Sequence, residues 1–121
     1  MSDKDSFSNN NEEVQLAVDV LEDEESIFVI APISGVGLED VAVLVENETL
    51  TISGERKYPL AQGGKNFLAK ECFWGKFSRT IILPSSAEKD KVEASFSKGV
   101  LRIRIPKKDS EKSKIIKIIE E

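Results

Sequence analysis

Residues 92–106 read Val-Glu-Ala-Ser-Phe-Ser-Lys-Gly-Val-Leu-Arg-Ile-Arg-Ile-Pro, and this stretch decides the fold class. Between 100 and 105 its aliphatic residues alternate with arginines and therefore share one face of a strand: Leu101, Ile103 and Ile105. A polar turn at 97–99 separates this strand from a shorter one at 92–96. Pro106 ends the second strand because proline has no N–H to donate to a ladder. The stretch predicts a β-hairpin with one buried face.

Outward from this hairpin, the same rhythm of short strands and polar turns recurs along most of the chain. The pattern predicts further strands at 14–20, 27–33, 41–45, 49–54 and 77–83. We expect one continuous strand at 14–20, because four apolar residues fall on one side at a period of two: Val14, Leu16, Val18 and Val20. No segment predicts a long helix. The sequence therefore predicts an all-β fold, an immunoglobulin-like antiparallel β-sandwich.

The expected organisation is one domain at 14–106 with a flexible arm at each end. Residues 1–13 are polar and predict a short disordered arm, since they cannot bury enough surface to offset the entropy of ordering. Residues 107–121 begin as a charged linker and end in an isoleucine-rich tail. The segment 57–75 interrupts the strand rhythm, and a loop of this length in a compact domain is usually functional. Its aromatic residues indicate packing on a partner subunit.

The composition argues against catalysis. The 121 residues include no histidine and one cysteine, Cys72, which removes the commonest general base, the Ser–His and Cys–His nucleophiles, and structural zinc. Gly35-Val36-Gly37 lacks the third glycine and the following helix of a phosphate-binding loop. The sequence predicts a protein that is not an enzyme and that has no cofactor or metal.

Charge and hydropathy bear on partners and location. A net charge of −5 disfavours binding to nucleic acid or to anionic lipid. No stretch approaches the 18 apolar residues typical of a membrane span, and the first residues lack the basic and apolar blocks of a signal peptide. Cys72 cannot form an internal disulfide. We expect a cytoplasmic protein.

Several segments together resemble the α-crystallin domain of the small heat shock proteins, the Hsp20 family. The resemblance rests on Gly54-Glu55-Arg56, Phe77-Ser78-Arg79, Leu83-Pro84, the Ala-x-Phe-x-x-Gly-Val-Leu block at 94–101, and Pro106-Lys107. The tail Ile116-Lys117-Ile118 resembles the I-x-I motif of the family. The resemblance covers roughly residues 14–119. It implies an ATP-independent molecular chaperone, a holdase that binds partly unfolded client proteins and prevents their aggregation.

The resemblance also implies how copies of the chain pair. In bacterial, plant and archaeal members, the loop corresponding to 57–75 adds a strand to the partner subunit, which gives a symmetric homodimer. The residues expected at this dimer interface are Phe67, Phe73, Trp74 and Arg79. The alternative for the loop is an ordinary surface hairpin at 57–75. The alternative for Arg79 is an exposed arginine on the side opposite the core.

The tail is expected to join dimers into a higher oligomer. Spacing of i, i+2 places Ile116 and Ile118 on one face of an extended segment, which would enter a groove of a neighbouring dimer. The groove is expected between strands 41–45 and 100–105, lined by Val41, Val43, Val45, Leu101 and Ile103. A frayed tail is the alternative.

The arm at 1–13 is shorter and less apolar than is usual in the family, so we expect a dimer or a modest assembly of dimers. A second possible function is a monomeric co-chaperone-like adaptor, a structural β-sandwich that docks folded chaperones. The 94–101 block, the loop and the tail favour the holdase. For an enzyme, Cys72 is the only candidate catalytic residue in the sequence.

Overall fold

The computed structural model describes residues 13–109 and 115–121, which contain two four-stranded β-sheets. The strands are β1 Val14–Gln15, β2 Asp19–Glu22, β3 Ser26–Pro32, β4 Val41–Glu46, β5 Thr49–Arg56, β6 Gly75–Ile82, β7 Glu93–Ser97 and β8 Val100–Pro106. Two short 3-10 turns, Leu38–Asp40 and Lys89–Lys91, precede β4 and β7. The predicted all-β sandwich is confirmed. The predicted arm at 1–13 lies, except for Glu13, outside the described residues.

The core lies between the two sheets because each strand turns its aliphatic side chains to one side. In the sheet ordered β2-β3-β8-β7, Val29 of β3 pairs with Ile103 of β8, and both side chains are buried. The sheet ordered β1-β6-β5-β4 contributes Leu50, Ile52 and Phe77 to the same cluster. Burying one such side chain contributes about 1.5–3 kcal/mol. Within the described residues, no helix is long and apolar enough to cross a membrane.

The hairpin predicted at 92–106 is confirmed as β7 and β8 in antiparallel register. Its turn places Lys98 at φ 53° and Gly99 at φ 77°, both in the left-handed region. Two consecutive positive φ angles are typical of the tight hairpin turns that match the twist of the flanking strands. Gly99 also packs closely, since a Cβ there would lie 3.3 Å from the Cα of Ser34.

The continuous strand predicted at 14–20 is wrong. β1 pairs in parallel with β6, whereas β2 pairs with β3 in the other sheet, so residues 16–18 cross between the sheets. Leu16 is buried, but Val14 and Val20 are exposed. A period of two does not reveal such a crossover, because the alternation continues through it. The pairing of β1 with β6 is also the one parallel exception among the described strand pairs.

This crossover determines which strand edges lie together. Only residues 16–18 join β1 to β2, so these two edge strands lie on the same side of the sandwich. Each sheet has four strands, and the two remaining edge strands, β4 and β7, therefore lie together on the opposite side. We call these two sides the β1/β2 edge and the β4/β7 edge.

Asp23 closes the turn between β2 and β3. Its Oδ1 accepts hydrogen bonds from the backbone N–H groups of Ser26 and Glu25, each at 2.8 Å. These bonds stabilise the charged carboxylate, and they hold the pKa of Asp23 below its ordinary value of 3.8. The turn therefore relies on an ionised Asp23.

We expect Asp23 to stabilise the fold near neutral pH and to lose this effect in acid. Because its pKa is lower in the folded than in the unfolded chain, the contribution is fully present above the ordinary value of 3.8 and is lost as the pH falls through the lowered value. Asp23→Ala should lower the urea midpoint near pH 7, with a difference that shrinks below about pH 4. Urea titrations of both proteins between about pH 7 and pH 3 measure this difference in midpoint. A difference that stays constant down to the lowest pH would contradict the role of the ionised Asp23.

Candidate functional site

Core-facing side chains remain accessible along the β4/β7 edge, and we call this accessible strip the groove. On β4, Val43 pairs with buried Ile52 and shares its core-facing side, but Val43 is only partly buried. On β7, Ala94 pairs with buried Ile103 and also faces the core side, yet its side chain is exposed. A core-facing side chain is exposed only where no other group covers it, so the two sheets do not close over Ala94.

Of the five predicted groove residues, three lie along this opening and two are buried in the core. One wall consists of three half-buried valines of β4: Val41, Val43 and Val45. Leu101 and Ile103 are buried beneath it, because β8 is an interior strand between β3 and β7. The second wall is therefore β7, with Ala94 and Phe96, rather than β8. Neither residue was predicted from the sequence, although the Ala-x-Phe spacing was a signal for them.

The predicted tail motif is accessible in the single chain. Ile116 and Ile118 are 79% and 90% exposed, and residues 115–121 adopt no regular secondary structure. Ile115 and Ile119 are exposed as well, so an extended tail would present isoleucines on both of its faces. Docking of the tail in a neighbouring groove stays a prediction.

The β1/β2 edge presents a second surface, which was not predicted from the sequence. All four residues of β2 are exposed, with Val20 at 50% and Leu21 at 53%. Asp19 and Glu22 place a carboxylate on each side of this apolar pair. The free side of an edge strand leaves backbone N–H and C=O groups open to pairing with another chain.

The excursion between β5 and β6 is a folded loop with its own aromatic cluster. It spans 57–74, one residue fewer than predicted, because Gly75 already pairs with Arg56. The Tyr58 ring meets Phe67 and Trp74 edge-on, with centroids 5.9 Å and 5.1 Å away. Tyr58 thus brings together two of the predicted interface residues. It was missed as a site residue, although an aromatic at the start of the excursion was a usable signal.

The third predicted interface aromatic, Phe73, packs at the end of the loop. A Cβ at Gly75 would lie 3.2 Å from Phe73 Cζ, and Gly75 has φ 145°, so this contact and this backbone conformation favour glycine. Nearer the tip, the loop surrounds an open pocket of about 350 Å³. Leu68 is fully exposed there, and Lys70 Nζ lies 4.7 Å from the Phe67 centroid.

Arg79, the fourth predicted interface residue, lies on the core-facing side of β6. It pairs with Ile52, whose side chain is buried, so the alternative of an arginine opposite the core is wrong. Its Nη1 donates to the carbonyl oxygen of Leu16 at 2.9 Å. Arg79 therefore holds the crossover that positions β2. A direct role for Arg79 in the dimer interface stays a prediction.

Comparison with known proteins identifies the family. The profile of the Hsp20/alpha crystallin family matches residues 19–120. Small heat shock protein C4 of Rickettsia felis is 34% identical over 109 residues, which are 90% of this chain and 67% of that protein. Heat shock protein 16 of Schizosaccharomyces pombe is 35% identical over 106 residues, which are 84% of this chain and 73% of that protein. The chain thus spans roughly two thirds to three quarters of these two relatives.

Solved structures agree in fold and sequence. Heat shock protein 16.0 of Schizosaccharomyces pombe superposes with a TM-score of 0.74 and 36% identity, covering 89% of this chain and 98% of that one. A small heat-shock protein of Xylella fastidiosa, described as having a distinct high order structure, superposes with a TM-score of 0.72 and 32% identity. The match covers 87% of this chain and 96% of that one. The chain therefore belongs to the Hsp20/alpha crystallin family, the small heat shock proteins, and its β-sandwich is an α-crystallin domain.

Proposed function

We propose that this protein is an ATP-independent holdase, which binds partly unfolded proteins and keeps them from aggregating. The observation that carries this proposal is the β4/β7 groove, where core-facing side chains remain accessible along a strand edge. An extended apolar segment pairs with such an edge through its backbone and places alternate side chains in the groove. Backbone pairing tolerates many sequences, which suits a protein that binds varied clients without nucleotide.

The tail and clients are proposed to share this groove. Ile116 and Ile118 have the spacing of two side chains on one face of a strand, the same pattern that an extended client segment presents. A docked tail would join neighbouring dimers and cover the groove, whereas an undocked tail would leave it open. Assembly and client binding would then compete for the same apolar surface.

The homodimer is proposed to form by exchange of the loop. In an antiparallel pairing of loop residues 66–71 with β2 of the partner, Lys70 lies opposite Asp19 and Leu68 opposite Leu21. Leu21 pairs with Phe28 of β3 on the outer face of the sheet, so Leu68 would extend an existing apolar row. Opposite charges and apolar pairs directly across a ladder each contribute about 0.2–1 kcal/mol. Two identical exchanges would give a symmetric dimer.

The assignment of segments follows from this proposal. Residues 14–106 form the α-crystallin domain, 57–74 the exchanged loop, and 107–121 a C-terminal extension that carries the I-x-I motif. The proposed partners are a second copy of the chain and unfolded client proteins, with no nucleic acid. A cytoplasmic location is proposed because the exposed free thiol of Cys72 suits a reducing compartment.

The holdase proposal predicts that the chain suppresses aggregation of an unfolding client. Reduced insulin, followed by light scattering, should aggregate less as the chain is added, to the same extent with and without ATP. A stable β-sandwich protein of similar size and no exposed groove serves as the control. Equal aggregation with either protein would refute the holdase function.

A pair of neighbouring variants tests the groove itself. Ala94→Glu places a charge in the groove and should abolish most of the suppression, because an uncompensated carboxylate opposes burial of an apolar segment. Ser95 is the next residue of β7 and pairs with Arg102, outside the groove, so Ser95→Glu should retain activity. Equal activity of the two variants would place client binding elsewhere.

A further inference from the structure

The C-terminal extension starts from a residue that is held at three points. The side chain of Lys107 is 15% exposed, and its Nζ lies 2.8 Å from Glu22 Oε1. The same Nζ donates to the carbonyl oxygen of Asp23 at 2.7 Å. The backbone N–H of Lys107 donates to the carbonyl oxygen of Glu25 at 2.9 Å. Lys107 is therefore tied to the end of β2 and to the turn that follows it.

The next residue is held from the other side. The backbone N–H of Lys108 donates to the carbonyl oxygen of Ser86 at 2.7 Å, and Ala87, which is buried, forms a bridge with Lys107. Residues 107–108 thus lie between the β2–β3 turn and the turn that follows β6. The Lys108 side chain itself is exposed. The chain therefore leaves the domain at a point and in a direction set by contacts on both sides.

The Lys107 ammonium fixes the direction in which the chain leaves the domain more than it adds to the net free energy of unfolding. Withdrawing a charge from water costs free energy, which its partners offset only when their geometry is favourable. An ammonium has three donors, and Lys107 directs at least two of them at neighbouring oxygens, the Glu22 carboxylate at the end of β2 and the Asp23 carbonyl in the turn that follows. An apolar side chain of similar length would fill the same space without fixing these positions.

We propose that Lys107 is a positioning residue, which sets the direction of the C-terminal tail and couples it to β2. The consequence for assembly rests on the proposed function, in which β2 accepts the loop of the partner. Ile116 lies nine positions after Lys107, so the tail motif reaches at most about 30 Å from this point. A fixed departure direction restricts which neighbouring groove lies within that reach. Glu22, the last residue of β2, links the dimer edge to the tail through one ion pair.

Spin-label distances measure this direction. One label on Ser113→Cys and a reference label on Ser95→Cys, in a Cys72→Ser chain, report the position of the tail relative to β7. The chain also carries Ile116→Ser/Ile118→Ser, so that docking does not order the tail, and it is diluted with unlabelled chain to suppress distances between subunits. Lys107→Met should broaden the distance distribution roughly twofold, since the segment then behaves as a freer linker. Glu22→Gln should broaden it less, because the Asp23 contact remains.

Lys108→Met is the matched control and should leave the distribution unchanged. The proposal would be overturned if Lys107→Met and Lys108→Met broadened the distribution equally. It would also be overturned if neither variant broadened it. A lower melting temperature of Lys107→Met without broadening would also overturn it, because Lys107 would then be structural only. In the chain with both isoleucines intact, Lys107→Met should change the assembly mass and Lys108→Met should not. Broadening with an unchanged mass would support the positioning role while contradicting the inference that the departure direction restricts which neighbouring groove the tail enters.

Discussion

Replacing Ile116 and Ile118 by serine is expected to convert an assembly of dimers into free dimers. Both side chains are exposed in the single chain and would be buried in a groove on docking. Burial of two isoleucines contributes about 3–6 kcal/mol at each docked tail. Its loss weakens each contact roughly 10²- to 10⁴-fold. Size-exclusion chromatography with light scattering measures the mass of the intact chain and of the variant.

The control for this prediction comes from the same tail. Ile115 and Ile119 lie on the opposite face of an extended segment, so Ile115→Ser/Ile119→Ser removes the same number of side chains without altering the docking face. This variant should retain the assembly mass. Equal dissociation of the two double variants would contradict docking through Ile116 and Ile118. If the unmodified chain already runs as a monomer, exchange of the loop is wrong as well, and the monomeric adaptor function gains support.

Leu68→Asp should dissociate the dimer into monomers. Leu68 is fully exposed in the single chain, and in the proposed exchange it contacts Leu21 of the partner. The symmetric dimer contains this contact twice, so the lost pair energy sums to about 0.4–2 kcal/mol before the cost of placing a carboxylate opposite Leu21 is added. The dissociation constant should rise by at least about 2- to 30-fold, and by more once that cost is included. Analytical ultracentrifugation over a range of concentrations gives that constant.

A second exposed leucine of the same loop provides the matched control. Leu60 is 58% exposed and lies outside residues 66–71, the part of the loop that would pair with β2 of the partner, so Leu60→Asp should leave the dimer intact. Both variants change the same side chain to the same charge, which separates a local contact from a general effect on solubility. Retention of the dimer by Leu68→Asp would exclude this residue from the interface.

The register of the exchange has its own test in a charge reversal. Asp19→Lys and Lys70→Glu should each weaken the dimer a fewfold, because each places like charges together where an exposed pair contributed about 0.2–1 kcal/mol. The double variant restores opposite charges and should recover much of the affinity. If both single changes weaken the dimer and the double variant does not recover, this antiparallel register is excluded. Loop exchange itself is tested separately by the Leu68 variant.

Local patterns were sufficient for much of the fold. The alternation in 100–105 identified the buried face of β8, and the turn at 97–99 identified the hairpin with β7. The all-β class followed from short strands separated by polar turns, since strand alternation and turn chemistry depend on neighbours in sequence. The family resemblance rested on blocks of the same kind. The accessible isoleucine tail was likewise visible in the sequence.

The interaction edges were decided by contacts between distant residues. The Arg79 guanidinium donates to Leu16, 63 positions earlier, and Lys107 is held by Asp23, 84 positions earlier. Likewise, alternation showed that Leu101 and Ile103 share a face, but not that β7 covers the edge beside them. By itself the sequence determined which side of most strands is apolar, because side-chain direction alternates along a strand; the exception is 14–20, which the structure divides between two sheets. Only the tertiary structure decided which strands lie at the edges, because that depends on pairing between segments far apart in the chain.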